Sequence, residues 1–477
     1  MTESAGSDYD LIVIGAGPTG ENIADYATKR GIRAAIVESE LVGGECSYWA
    51  CMPSKALLRS GQAIRAARRL PGAREAVSGE IDALAVLGRR TQFTSDWKDD
   101  GQVAWLESAG IDLIRGFGSL AGPGRVQVGE QVYTAKAVAL ATGSVPILPA
   151  IDGLVQAAPW GTREATAADH VPPRLIIIGG GVAGTELAFA FSSLGSQVTL
   201  LARGAVLDRE EPFVGDFVRS ALQDERVDVR VGVTPTRVSR DARGIVGVTL
   251  PDGEILSAEE ILVSTGRRPN VDGLNLASVD VDAKTGFHVD ETLLVDGTDW
   301  LYAVGDVNGR ALLTHQGKYQ ARAAGEAIAS RILGTEVFGG QWGQHAATAD
   351  HLAVPRVVFS DPEVASVGYT ESRARAADIA VRVVEYDLGA VAGAALHADG
   401  YTGRAKLVID ADREVIVGAT FVGQDVAELL HSATIAIVGE VPVSRLWHAV
   451  PAYPTISEIW LRLLEAYGRP ARRRSTA

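Results

Sequence analysis

Cysteine is scarce in this sequence. Only Cys46 and Cys51 occur among 477 residues, which excludes a secreted protein cross-linked by several disulfides. Both cysteines lie within one short segment. They are therefore either two inert buried thiols or one local pair with a shared task.

Basic residues and long apolar runs are also lacking. The chain has 45 lysines and arginines against 59 acidic residues, a formal net charge of −14, so we expect no nucleic acid or anionic lipid as a partner. No apolar run approaches the roughly 20 residues of a membrane span. The amino terminus lacks the positive charge of a secretory signal. These absences predict a soluble cytoplasmic protein.

Glycine, by contrast, is abundant, and two segments repeat one glycine pattern. In each, a short apolar run typical of a parallel strand leads into G-x-G-x-x-G and then into a helical pattern. The glycines are Gly15, Gly17 and Gly20 in the first copy and Gly179, Gly181 and Gly184 in the second. Such turns let backbone N–H groups approach a pyrophosphate at a helix N-terminus. We predict two Rossmann-like dinucleotide-binding domains in an α/β protein.

The two copies differ where their second strand ends. The first copy continues with a strand that ends in Glu38, at the spacing of a ribose-binding carboxylate. In the second copy, the strand Gln197–Leu201 ends without the acid, since Ala202 stands in its place; Arg203 follows directly, with Arg209 six positions later. Guanidinium groups suit a 2′-phosphate through their fork of donors. We therefore predict NADPH in preference to NADH.

The final part of the chain has no glycine fingerprint. Strand patterns cover Val357–Phe359, Arg404–Ile409 and Val415–Phe421, and helical patterns cover Val426–Val438 and Ser457–Tyr467. This mixture indicates a separate α+β domain.

The spacing of the cysteines argues against a regular helix between them. In such a helix, residues five apart lie about 7.5 Å apart along the axis, beyond the usual Cα separation of a disulfide. A disulfide needs a distorted turn, which Gly43, Gly44 and Pro53 permit. Two thiolates do not complete a zinc shell. We predict a redox-active disulfide and no metal site.

The motifs together resemble the class I FAD-dependent pyridine nucleotide–disulfide oxidoreductases, the family of mercuric reductase, dihydrolipoamide dehydrogenase and glutathione reductase. Besides the glycine turns, they are Cys46-x4-Cys51-x-Pro53-Ser54-Lys55, Ala141-Thr142-Gly143-Ser144, Thr265-Gly266-Arg267-Arg268-Pro269-Asn270, Ala303-Val304-Gly305-Asp306, Pro362-Glu363-x4-Gly368 and Pro454-Thr455-Ile456-Ser457-Glu458. The resemblance implies an FAD domain in two parts, 1–150 and 273–345, an NAD(P) domain at 151–272 and a dimerisation domain at 346–477. It also implies a homodimer whose subunits share the active site.

The resemblance assigns a role to each motif. The implied FAD-binding residues are Gly15, Gly17, Gly20, Glu38, Gly44, Lys55, Thr142, Gly143 and Asp306. The implied NADP-binding residues are Gly179, Gly181, Gly184, Arg203, Arg209 and Gly266. The implied catalytic residues are Cys46, which attacks substrate, Cys51, which contacts the flavin, Lys55 paired with Glu186 near the flavin, and Tyr453 with Glu458.

Tyr453 is a departure from the family. Most of its disulfide reductases have a histidine there, which the partner subunit supplies to protonate the leaving thiol. A phenol ordinarily titrates near pH 10 and an imidazole near 6.5, so tyrosine is a poor base at neutral pH. His448 is a nearby alternative. Tyr48 and Trp49 either pack against the flavin domain or form an aromatic wall that favours a flat acceptor. The predicted acceptor is therefore either a small disulfide or a quinone-like molecule.

The primary prediction is an oxidoreductase that passes electrons from NADPH through FAD and the cysteine pair to a small-molecule acceptor. One alternative is an NAD-dependent dihydrolipoamide dehydrogenase, because the segment Leu313-Thr-His315 resembles the Leu-x-His motif of that subgroup. Another is a mercuric-reductase-like enzyme without the C-terminal cysteine pair of that group. The third is a non-enzymatic flavin protein that uses the two cysteines as a redox switch.

Overall fold

The computed structural model describes residues 7–283 and 286–469, in two compact units. Unit 1 comprises Met1–Pro53, Arg90–Ile147 and Gly266–Asp350, and unit 2 comprises Ser54–Arg89, Leu148–Thr265 and His351–Ala477. The first six residues, which bear on the prediction of no signal peptide, lie outside the described ranges.

In the first 150 residues, a β-α-β unit is followed by a run of helices and then by a run of strands. The strands are β1 (Tyr9–Ile14), β2 (Ala34–Glu38), β3 (Asp112–Arg115), β4 (Gly118–Leu120), β5 (Arg125–Val128), β6 (Gln131–Leu140) and β7 (Ser144–Pro146). The helices are α1 (Pro18–Thr28), α2 (Gly44–Tyr48), α3 (Cys51–Arg68), α4 (Ala73–Ala76), α5 (Ala83–Phe93) and α6 (Asp100–Ser108).

The second glycine turn opens the next stretch. Its strands are β8 (Arg174–Ile178), β9 (Gln197–Ala202), β10 (Asp228–Val231), β11 (Arg237–Arg240), β12 (Val246–Thr249), β13 (Ile255–Ala258), β14 (Glu260–Val263) and β15 (Arg267–Pro269). Its helices are α7 (Thr162–Ala167), α8 (Val182–Ser193) and α9 (Pro212–Asp224).

The remainder is mixed. Its strands are β16 (Leu301–Ala303), β17 (Pro355–Val358), β18 (Glu363–Gly368), β19 (Val381–Asp387), β20 (Arg404–Asp410) and β21 (Val415–Gly423). Its helices are α10 (Thr314–Leu333), α11 (Ala349–Leu352), α12 (Glu371–Ala376), α13 (Ala392–His397), α14 (Leu430–Val438), α15 (Val443–Leu446) and α16 (Ile459–Tyr467). Short 3-10 turns are Ser95–Trp97, Leu276–Val279, Gly305–Asn308, Leu388–Ala390, Val426–Leu429 and Ile456–Glu458.

Unit 1 is built on a sheet of order β3-β2-β1-β6-β5-β4, and β16 pairs with β6. Strands β3, β2, β1, β6 and β16 run parallel, with Leu11 opposite Ala34 in β2 and Ala137 in β6. Helices cover the sheet, and α1 packs on α10. The apolar run of β1 is accordingly buried from Leu11 to Ile14, as expected for a parallel strand. The first Rossmann-like prediction is confirmed.

Unit 2 contains the second parallel sheet, of order β10-β9-β8-β14. It packs against α8, whose Phe189 and Phe191 are fully buried. A further antiparallel sheet has the order β17-β18-β21-β20-β19. The predicted helices at the end of the chain are confirmed, although each begins with a 3-10 turn. The α/β class with a final α+β part is therefore confirmed.

A buried lysine joins two parts of unit 2. Lys406 in β20 has a side chain only 6% exposed, and its Nζ lies 2.9 Å from Glu211 Oε2 and 2.8 Å from Glu371 Oε2. Glu211 immediately precedes α9, and its Oε1 accepts a hydrogen bond from the Glu371 N–H at 2.7 Å. The segment that follows β9, with Arg203 and Arg209, is thereby anchored at its far end to the antiparallel sheet.

Candidate active site

The turn after β1 combines closely packed glycines with one open glycine. A Cβ at Gly15, where φ is +104°, would lie 2.5 Å from a backbone oxygen, and a Cβ at Gly20 would lie 1.9 Å from Gly15 O. A Cβ at Gly17 would meet nothing nearer than 4.0 Å. Gly17, whose nearest neighbour in this direction is the Gly44 Cα at 4.0 Å, is therefore less crowded than Gly15 and Gly20, and it lies at the N-terminus of α1, whose unpaired amides suit a pyrophosphate. The residues present fit a dinucleotide.

Glu38 lies at the edge of the sheet beside this turn. Its Oε2 accepts a hydrogen bond from the Ala16 N–H at 2.7 Å, and its Oε1 accepts one from the Glu40 N–H at 2.7 Å. These bonds fix the carboxylate next to the glycine turn, where a ribose hydroxyl can donate to it.

Two other predicted flavin residues are held by Asn270. Thr142 Oγ1 donates to Asn270 O at 2.6 Å, and the Asn270 N–H donates to Gly143 O at 3.0 Å. Gly143 has φ +74°, a left-handed conformation. The loop after β6 therefore has a fixed backbone conformation.

Asp306 belongs to a chain of polar contacts in unit 1 that reaches the cysteine segment. Its Oδ2 accepts a hydrogen bond from Ser144 Oγ at 2.6 Å. Arg267 donates from Nε to Ser144 Oγ at 2.8 Å and from Nη2 to Glu45 Oε2 at 2.5 Å. Burial raises the pKa of Asp306 above its usual value, against the effect of the Ser144 bond and the Arg267 charge. Arg267 stands in one of the sequence motifs without an assigned role, and Glu45 was not among the predicted site residues.

A break in the helix brings Cys46 and Cys51 together. Helix α2 ends at Tyr48, Trp49 has φ −137° and ψ 2°, and α3 begins at Cys51, so the predicted distorted turn is confirmed. Both cysteines are free thiols. They hydrogen-bond to each other, and Cys51 Sγ lies 3.4 Å from Thr314 Oγ1. The bond to Cys51 and burial raise the pKa of Cys46, because a second negative charge beside the first is unfavourable.

Tyr48, at the end of α2, packs in the interior next to the cysteine segment. Its side chain is 3% exposed, its hydroxyl donates to Val42 O at 3.0 Å, and its backbone oxygen accepts from Trp97 Nε1 at 3.2 Å. Burial raises the pKa of Tyr48 to about 12. Tyr48 is thus a packing residue, which removes it from a possible aromatic wall.

Lys55 and Glu186 form an ion pair in unit 2. Lys55 Nζ lies 2.6 Å from Glu186 Oε2, and the glutamate side chain is 4% exposed. Glu186 Oε1 accepts a hydrogen bond from the Phe359 N–H at 3.0 Å, and Lys55 Nζ lies 4.9 Å from the Phe359 ring centroid. The carboxylate is therefore satisfied on both oxygens, and the ammonium group is held in one place.

The second glycine turn repeats the geometry of the first. Gly179 has φ +125°, and a Cβ at Gly184 would lie 2.0 Å from Gly179 O, whereas a Cβ at Gly181 would meet nothing within 4 Å. The open glycine again lies at a helix N-terminus, that of α8. Gly266, implied as an NADP-binding residue, lies in unit 1, where Gly266 O accepts from the Ile147 N–H at 3.0 Å.

Arg203 and Arg209 are exposed after β9. A cavity of about 200 Å³ opens at the carboxyl ends of β9 and β10, with Gly204, Ala205 and Gly232 in its lining. Dinucleotides bind at this end of such sheets. Both arginines therefore lie on the segment that borders the expected position of a nucleotide ribose.

The residues near the end of the chain lie in unit 2. Tyr453 is 75% exposed, His448 is exposed, and Glu458 is 7% exposed. Glu458 Oε1 accepts a hydrogen bond from Arg462 Nη2 at 2.5 Å, and no described residue donates to its Oε2. Tyr453 is therefore available to another molecule, whereas Glu458 is fixed beneath the surface.

Residues 7–283 and 286–469 contain neither a cluster of metal-ligating side chains nor a helix suited to span a membrane. No three or more His, Cys, Asp or Glu side chains there are arranged to hold a metal ion. No helix in the same residues is long and apolar enough to cross a membrane.

Comparison with known proteins gave matches over most of the chain. Residues 9–326 match the family profile "Pyridine nucleotide-disulphide oxidoreductase", and residues 354–463 match its dimerisation domain. A dihydrolipoyl dehydrogenase from Thermus scotoductus is 32% identical, with 97% of this chain and 98% of the relative covered. A mercuric reductase from Staphylococcus aureus is 30% identical, with 94% and 81% covered. The HOCl-induced flavoprotein disulfide reductase RclA from Escherichia coli has a similar fold, with TM-score 0.82, 24% identity, and 96% of this chain and all of that chain covered.

Proposed function

We propose a path for the electrons in this chain, which belongs to the pyridine nucleotide-disulphide oxidoreductase family and is a flavin-dependent disulfide oxidoreductase. Electrons pass from NADPH through FAD to a Cys46–Cys51 disulfide. From there they reach a small disulfide or a quinone-like acceptor. The observation that carries this proposal is the contact between the only two cysteines across a helix break, beside Thr314. Two thiols in contact can form a disulfide and be released from it without a large backbone movement.

The residues of unit 1 would bind and orient FAD. The open turn at Gly17 would receive the pyrophosphate, Glu38 the adenosine ribose, and Asp306 the ribityl hydroxyls. FAD, when bound, supplies two-electron transfer between the nicotinamide and the disulfide. Cys51 would be the thiol beside the flavin and Cys46 the thiol that attacks the acceptor. Lys55, held by Glu186 at 2.6 Å, would place a positive charge beside the flavin.

The nicotinamide site would be the second glycine turn, with NADPH preferred. Support comes from Ala202, which stands at the end of β9 in place of an acid, and from the exposure of Arg203 and Arg209 on the segment that borders the cavity. A 2′-phosphate attracts guanidinium groups, whereas a carboxylate at the end of the strand would repel it. The predicted boundaries, with the NAD(P) domain at 151–272, belong to the same proposal.

The chain carries the dimerisation domain of the family at residues 354–463. We propose a homodimer in which Tyr453 of one subunit faces the thiol pair of the other, since its ring is 75% exposed in the single chain. The proposed location is the cytoplasm, where thiols are kept reduced.

The test is an anaerobic titration of the oxidised holoenzyme with NADPH while the flavin spectrum is recorded. The proposal requires a long-wavelength band from a thiolate beside the flavin after the first equivalent. Cys51→Ser should abolish the band. Cys46→Ser should show it before any NADPH is added, because Cys51 would be the thiol beside the oxidised flavin, and should lose it with the first equivalent, because without a disulfide the electrons stay on the flavin. Complete bleaching of the flavin by a single equivalent, without the band, would contradict the redox disulfide.

The acceptor is tested with the same enzyme under steady-state conditions. A panel of small disulfides, lipoamide, quinones and Hg(II) is supplied with NADPH. Turnover that is lost in Cys46→Ser identifies acceptors reduced by the thiol, and turnover that survives identifies acceptors reduced by the flavin. Absence of turnover with every acceptor would favour a redox sensor.

A further inference from the structure

Tyr453 leaves the thiol pair without the imidazolium that would favour a thiolate at neutral pH. We propose that Lys318 on α10 supplies this positive charge and is the residue that makes Cys46 reactive. The inference rests on the proposed dithiol chemistry, and it gives a task to a residue outside the sequence motifs.

Helix α10 begins at the thiols. Its first residue, Thr314, has its hydroxyl 3.4 Å from Cys51 Sγ and also hydrogen-bonds to Cys46. The N-terminus of a helix carries partial positive charge. The hydroxyl and the helix terminus therefore both favour a negative sulfur, although neither carries a full charge.

Lys318 lies one turn further along the same helix. Residues four apart lie on one helix face, with Cβ atoms about 5–6 Å apart, so the lysine shares the face of Thr314. Its side chain is exposed. Its charge lowers the pKa of Cys46 and so opposes the raising effect of Cys51. Solvent screens an exposed cation, which makes a moderate effect the physical expectation.

The charge of Lys318 also acts on the carboxyl of Glu21 on α1, whose pKa it lowers. Glu21 is 8% exposed, and no described residue donates to its Oε1. Burial raises the pKa of Glu21 to about 7, against the effect of Lys318, and Glu38 raises it further. Around pH 7 this carboxyl is therefore partly neutral, and it leaves much of the lysine charge free to act on Cys46.

The test measures the reactivity of Cys46 against pH. The holoenzyme is reduced anaerobically with dithiothreitol, freed of the reductant and treated with iodoacetamide between pH 5 and 9, and modified Cys46 is quantified by mass spectrometry. Lys318→Met should slow modification of Cys46 about threefold or more at pH 7. This decrease corresponds to a rise of roughly half a unit in the apparent pKa of the Cys46 thiol. Lys318→Arg should restore the profile of the unaltered enzyme.

Arg322 provides the matched control, since it lies one turn beyond Lys318 on α10, is exposed and lies over the Tyr319 ring at 5.7 Å. Arg322→Met should leave the profile unchanged. Coincident profiles for Lys318→Met and the unaltered enzyme would overturn the proposal, as would an equal shift in Arg322→Met. Because dithiothreitol is the reductant, a chain that NADPH fails to reduce would contradict the proposed function and still test Lys318.

Discussion

Gly44 approaches Gly17 so closely that a Cβ on Gly44 would lie 2.7 Å from the Gly17 Cα. The first helix of the cysteine segment therefore packs directly on the nucleotide turn. Gly44 also has φ +59°, a conformation that favours glycine. The position of the thiols thus depends on the same backbone contact that shapes the turn for a pyrophosphate.

Gly44→Ala should destabilise the protein and weaken FAD retention, because the methyl group would overlap backbone that has no rotamer to change. We expect a loss of about 1–3 kcal/mol, measured by denaturant unfolding, together with a lower flavin content after purification. Gly129→Ala is the control, since Gly129 has φ +58° but nothing within 4 Å of its Cβ position. Equal losses in both variants would show that the contact with Gly17 has no energetic importance.

Arg203→Ala should raise the KM for NADPH at least tenfold and leave the KM for NADH nearly unchanged. The reason is the loss of a charge-assisted contact with the 2′-phosphate, which only NADPH carries. Steady-state kinetics with both cofactors provide the measurement. Arg243→Ala, at a surface turn where Arg243 pairs with Asp241, should change neither value. An equal rise for the two cofactors in Arg203→Ala would contradict the assignment.

Lys55→Met should destabilise the protein more than Glu186→Gln. The first change leaves the Glu186 carboxylate buried with only the Phe359 N–H, whereas the second keeps an oxygen acceptor and removes the charge. We expect a coupling energy of about 1–3 kcal/mol from a double-mutant cycle in urea, at the lower end because Lys55 is 35% exposed. A coupling energy near zero would mean that the ion pair does not stabilise the folded protein in solution.

Glu21→Gln should stabilise the holoenzyme increasingly as the pH rises. Burial raises the pKa of Glu21 in the folded protein to about 7, against 4.5 ordinarily. The contribution of Glu21 to the free energy of unfolding is therefore most favourable below pH 4.5 and is lost as the pH rises through 7. Relative to pH 4.5, the variant should gain about 2–3 kcal/mol by pH 8 in unfolding experiments. Glu107→Gln, at an exposed position of α6, should show no such trend. A gain independent of pH would refute the effect of burial.

Tyr453→His should raise turnover with a small disulfide at pH 7, because an imidazole can hold and release a proton in that range. Tyr453→Phe should lower turnover less than tenfold, since the phenol is a poor acid–base group there. Reduction of the flavin by NADPH, followed by stopped flow, should be equal in both variants. A large loss in Tyr453→Phe would identify the phenol as the proton donor.

The sequence predicted those features that depend on local pattern. The apolar run before Gly15 formed a buried strand, and the spacing of Cys46 and Cys51 required the break found at Trp49. The pattern alone did not predict contacts between residues far apart in the chain, because one sequence carries no signal for such pairs. Arg267 with Glu45 is an example. The Lys55–Glu186 pair was predicted only through the family resemblance. Tyr48, an aromatic residue between two cysteines, could not be assigned to packing until its burial was known.

The Lys406 cluster has a consequence for protein engineering. A change of cofactor preference by exchange of the segment after β9 would reach Glu211 at the far end of that segment. A replacement that omits this glutamate would remove one of three carboxylates around the Lys406 ammonium and the acceptor of the Glu371 N–H, and would leave Glu371 and Glu385 beside the lysine. We expect such a chimera to lose stability together with any change in selectivity, so the useful boundary for a transplant falls before Glu211.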